Sequence, residues 1–146
     1  MTDDVLTAPH VVEYTYTRST GPAIGAFLTG LRDSKIVGVR GSDGRVIVPA
    51  VDYDPVTSED LSEYVDVADT GVVTAWSWND NPLKGQPLDK PFAWALVRLD
   101  GADVAFLAAV DAGSPDAIST GAKVKARWAE ERIGSIRDLI CFEVTQ

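Results

Sequence analysis

A β rhythm governs the chain from Val65 onward. Residues 72–78 are a run of β-branched and aromatic side chains that ends in Trp76 and Trp78. A long loop over 79–91, with Pro82, Pro87 and Pro91, follows it. Runs 92–99 and 104–110 flank Asp100-Gly101, a strong two-residue hairpin signal. After a connection over 112–121 with room for a helical turn, Val124, Ala126 and Trp128 alternate with Lys123, Lys125 and Arg127. A last run covers 139–144. Five strands with one long connection after the third predict a small five-stranded barrel of the OB type. Periodicity alone suits any other small antiparallel barrel equally well.

Upstream of Val65 the signals change. Residues 1–19 read as a polar leader with an extended stretch that carries Val11, Val12, Tyr14 and Tyr16. A helix is expected next, with Thr20 as N-cap and Pro22 just inside its start. Ile24, Phe27, Leu28 and Leu31 then fall on one apolar face, while Gly25 and Gly30 weaken the interior. Residues 36–49 predict a hairpin turning at Gly41-Ser42-Asp43-Gly44, and 50–63 predict a loop. The class is mainly β. The chain divides into a leader (1–19), a helix plus hairpin segment (20–64) and a barrel (65–146).

Charge narrows the function. Thirteen basic residues against 22 acidic ones leave a net charge of −9. Nucleic-acid affinity comes largely from neutralised phosphates, so this composition argues against nucleic acid as a partner. No run reaches the roughly 18–20 apolar residues of a membrane helix. The first ten residues lack the basic and apolar regions of a secretory signal. A single cysteine forms no internal disulfide, so a cytoplasmic protein is expected.

Catalytic chemistry is thin. His10, the one histidine, lies in the leader and reads as solvated, and Cys141 sits between Ile140 and Phe142 as a core thiol. The carboxylates at 52–63 lack the spacing of a calcium loop. No catalytic residue is assigned. Lys123, Lys125 and Arg127 are weak candidates for the phosphates of coenzyme A, with a solvated strand face as the plainer reading. Phe27, Trp76, Trp78 and Phe92 are candidates for a protein interface, and each is also an ordinary core residue.

The order of segments carries a resemblance. A helix with Phe27 and Leu28 leads to Val39-Arg40-Gly41-Ser42-Asp43-Gly44-Arg45-Val46-Ile47-Val48-Pro49, then Asp54-Pro55-Val56-Thr57, then Asp69-Thr70-Gly71-Val72-Val73-Thr74. Over residues 20–145 this resembles the acyl-CoA-associated family known as domain of unknown function thirty-five, in which a helix and zinc ribbon precede an OB fold. In that family the ribbon holds zinc with four cysteines. The matching positions here are Arg40 (or Gly41), Asp43, Asp54 and Thr57, and none is cysteine. One arginine, two aspartates and a threonine do not replace thiolates around zinc. The expectation is a metal-free hairpin that keeps its shape through packing or a partner.

The resemblance also implies a role. Members act as partner subunits of thiolase-superfamily enzymes, including lipid-transfer-protein-like thiolases, acyltransferases and aldolases that cleave steroid side-chain CoA thioesters. The implied role is a non-catalytic accessory subunit, in a heterotetramer with the thiolase-like enzyme, with no cofactor of its own and a CoA thioester shared with its partner. A free-standing module that binds acyl-CoA or another small ligand is the alternative.

Overall fold

The computed structural model describes residues 5–145. One helix, α1 (Gly21–Arg32), precedes eight strands. These are β1 (Ile36–Arg40), β2 (Val46–Ile47), β3 (Tyr64–Val67), β4 (Thr70–Asn79), β5 (Phe92–Leu99), β6 (Phe106–Asp111), β7 (Lys123–Trp128) and β8 (Leu139–Val144). A small sheet runs β2-β1-β3, and the last five strands close a barrel in the order β4-β5-β6-β8-β7. The expected OB architecture is present. The connection between β6 and β7 contains a short 3₁₀ turn, Pro115–Ala117.

Two local expectations need correction. Thr20 has helical backbone angles and its side chain caps nothing. Asp52 supplies the acceptor instead, taking a hydrogen bond from the Ala23 N–H at 3.2 Å across 29 residues of sequence. Gly30 is not merely a weak point in the helix. A Cβ there would sit 2.6 Å from Cγ2 of Val37, so glycine lets α1 lie directly on β1. Residue 65, where the barrel segment is expected to begin, lies in β3, which pairs with β1, Val65 opposite Gly38. The first barrel strand therefore starts at Thr70.

Alternation explains the barrel wall. Val124 and Ala126 of β7 point inward, as do Ala93, Ala95, Val97 and Leu99 of β5. A bulge in β4 between Val73 and Ala75 changes which side chains face in. Phe27, Leu31, Val39 and Val48 from the N-terminal segment join Val97 and Phe142 from the barrel in one apolar cluster. Burying each such side chain stabilises the fold by about 1.5–3 kcal/mol, so helix, small sheet and barrel are held as one body. Asp103 adds a polar tie: its carboxylate accepts from the Val46 N–H at 2.8 Å and its own N–H donates to the Val46 carbonyl at 2.9 Å.

Candidate functional site

The turn between β1 and β2 meets the 52–63 loop in a knuckle, and Asp54 is its centre. Its side chain is almost wholly buried. Oδ2 accepts from the Ser42 N–H at 2.7 Å, and Oδ1 accepts from the Val56 N–H at 2.7 Å and the Thr57 N–H at 3.0 Å. One carboxylate thus gathers amides from two loops. These bonds hold its pKa far below the usual carboxylate range, with the Ser42 amide the largest contributor, then those of Thr57 and Val56.

Zinc does not fit this arrangement. Both Asp54 oxygens already have donors, and the Asp43 carboxylate accepts from the backbone and side chain of Arg45 at 3.0 and 2.6 Å. Arg40 donates to Glu63 at 2.8 Å and to the Gly44 carbonyl at 3.0 Å. Among the described residues, no three of His, Cys, Asp and Glu gather in a metal-holding group. The hairpin shape expected without metal rests on a source that the sequence reading did not name: a carboxylate in hydrogen bonds to both loops.

The basic strand face is only partly free. Lys123 and Lys125 are exposed on β7, but Arg127 donates to Asp111 at 3.0 Å and to Glu143 at 2.6 Å. Lys90 adds a second cation, 2.8 Å from Asp111. Burial works against the charge on Asp111, but Lys90 and Arg127 outweigh it and keep its pKa low. Arg127 is therefore committed to carboxylates rather than held ready for a phosphate. His10 is exposed in the leader. Cys141 is buried, and burial pushes its thiol up to about 11, so it is neutral and unreactive near pH 7.

The aromatic interface candidates divide. Phe27 and Phe92 are enclosed by their own chain and present nothing to a partner. Trp76 and Trp78 lie opposite Ala95 and Ala93 and pack half-buried against the barrel core; Trp78 Nε1 donates to Asp80 at 2.9 Å. The exposed aromatics are Tyr14, Tyr16, Tyr53 and, less fully, Tyr64. Sequence reading saw Tyr14 and Tyr16 only as an extended stretch. Their signal was the absence of any helix, turn or hairpin partner to cover them.

A second feature escaped the sequence. Strands β6 and β8 run parallel and pair only at Val110 with Phe142 and Asp111 with Glu143. Ahead of that point the seam holds a cavity of about 600 Å³ between Phe106, Leu107 and Ala108 on one side and Leu139, Ile140 and Cys141 on the other. Trp94 lines it, as does Arg137. The Phe92 and Trp94 rings meet edge to face, 5.0 Å between centroids, beneath the 79–91 loop.

Comparison with known proteins places this architecture. Residues 64–129 match the family model for the C-terminal OB-fold domain of ChsH2. A crystal structure of a protein of unknown function from the DUF35 family of Sulfolobus solfataricus superposes with a TM-score of 0.62. It is 25% identical, over 86% of this chain and 87% of that one. The chain thus resembles OB-fold proteins of the DUF35 family. The Ltp2-ChsH2(DUF35) aldolase gives a TM-score of 0.64 at 18% identity, covering 88% of this chain and 98% of the other. No curated protein matches the sequence. Among the described residues, no helix is long and apolar enough to cross a membrane.

Proposed function

We propose that this chain is a non-catalytic accessory subunit of a thiolase-superfamily, lipid-transfer-protein-like enzyme that acts on acyl-CoA thioesters. The observation that carries the reading is the match of residues 64–129 to the OB domain of ChsH2, a protein found in an aldolase with Ltp2. The preferred reaction is retro-aldol cleavage of a steroid or lipid side-chain thioester, performed by residues of the partner in a cytoplasmic heterotetramer. The state of this chain's own nucleophile and base agrees with that division: the thiol is buried and neutral, and the histidine stands alone in solvent. Co-expression with a thiolase-like protein from the same organism tests the reading. Turnover of an acyl-CoA substrate only when both chains are present supports it, and a partner equally active alone overturns it.

The seam cavity favours a second reading, a free-standing module for acyl-CoA or another small ligand. Its volume lies within the range of small-molecule sites, and its lining is mainly apolar with one guanidinium, that of Arg137. Titration of the isolated chain with CoA and a long-chain acyl-CoA separates the two. Tight binding without a partner supports the module.

A further inference from the structure

The leader and the knuckle together leave an apolar surface that the chain does not cover. Val12, Tyr14 and Tyr16 are 72%, 76% and 74% exposed. They alternate with Glu13, Thr15 and Thr17, so in an extended conformation they share one side. The Tyr14 and Tyr16 rings already lie 5.8 Å apart. Among the described residues, no hydrogen bond joins 5–18 to the folded body. A one-sided apolar strand with an unpaired backbone has the form of a segment that adds to a sheet edge.

The leader enters the body at a fixed place. Helix α1 is pinned there by the Asp52 carboxylate on Ala23, and Pro22 lines a shallow cavity of about 400 Å³ with Tyr53, Leu61 and Tyr64. Tyr53 and Val56 are 63% and 68% exposed beside it. Acid rims this groove: Asp52 and Asp60 line it, and residues 52–63 contain no lysine or arginine, while Glu63 is paired with Arg40 of β1. The complementary surface is apolar at its centre and basic at its rim.

We infer that the leader strand 11–16 and the knuckle groove form one docking surface for the catalytic partner subunit, with the leader added as a β-strand to an apolar, basic-rimmed sheet edge of that subunit. This rests on the accessory-subunit reading above. It assigns the interface to the N-terminal segment and not to the barrel seam. The leader orders only on binding, so it contributes to the complex and not to the stability of the free chain.

Three variants of the full chain test this by affinity for the thiolase-like protein: Tyr14→Ser with Tyr16→Ser, Tyr53→Ser with Tyr64→Ser, and Leu107→Ser at the seam. The leader pair should weaken binding by roughly tenfold or more, as truncation of buried aromatic anchors does. Its Tm should stay that of the unaltered chain, because both rings are exposed in the free protein. The knuckle pair should weaken binding too, added salt should weaken it for every variant, and Leu107→Ser should bind normally. Hydrogen exchange should show amides 11–16 protected only in the complex. Unchanged affinity for the leader pair, or loss confined to Leu107→Ser, overturns the assignment while the accessory-subunit reading stands. An unaltered chain that does not bind the partner removes that reading, and this inference with it.

Discussion

Asp54→Asn separates a hydrogen-bonded carboxylate from a merely polar side chain at the knuckle. Aspartate offers acceptors on both oxygens, and the structure uses them for three amides from two loops. Asparagine has one acceptor oxygen, and its other end carries two donors. With the oxygen toward Val56 and Thr57, its NH₂ group faces the Ser42 N–H across the 2.7 Å now spanned by Oδ2. The bond lost is the one between loops. Loss of the charge weakens the other two as well, and together these changes should raise the unfolding equilibrium constant roughly 10- to 100-fold at neutral pH. For a chain of this length that corresponds to a fall in Tm of roughly 3–10 °C. The pH dependence gives the sign. Asp54 titrates lower in the folded chain than in the unfolded one, so its contribution is fully present above the unfolded aspartate pKa and is lost as pH falls through the folded value. Melting curves of both proteins should therefore differ by a constant amount at neutral pH and converge in acid, below about pH 4. Equal Tm values at neutral pH, or a gap that widens in acid, would refute the account of the knuckle.

Other outcomes follow from the same geometry. Gly71→Ala places a Cβ against the Arg98 carbonyl and 2.8 Å from Leu99 Cα, so it should force β4 and β5 apart at a cost of about 1–3 kcal/mol, read by chemical denaturation. Phe142→Ala should lose about 3–5 kcal/mol, because this wholly buried ring packs edge to face on Phe106. Cys141 should resist alkylation in the native protein near pH 7 and react once denatured, since burial raises its pKa to about 11. Asp138 accepts from the amides of Ile133, Gly134 and Ser135, so Asp138→Ala should lower Tm and open a protease site at 133–138.

Much of the fold was legible because its signals are local. The apolar spacing of α1, the Asp100-Gly101 turn and the alternation of β7 each act within a few residues. The hidden parts depend on long-range pairing. Nothing near Val65 says that β3 joins β1, and nothing near Thr20 says that Asp52 will cap the helix. Asp54 was visible as a substituted ligand position, but its role needed two loops brought together. The seam cavity arises from a parallel pairing of only two residues on each strand, which no alternation pattern encodes. Two of the interface candidates are set apart for a simpler reason: Phe27 and Phe92 are as apolar as any interface residue, and only the fold shows that their own chain covers them.

The most direct test of the accessory-subunit account is co-purification of this chain with a thiolase-like protein from the same organism, read by light scattering and an acyl-CoA cleavage assay. The account predicts a stable hetero-oligomer that cleaves the thioester substrate, with neither chain active alone and with activity kept when Cys141 and His10 are both replaced. A chain that stays apart from that protein, or a complex that loses activity with Cys141 and His10, would contradict it.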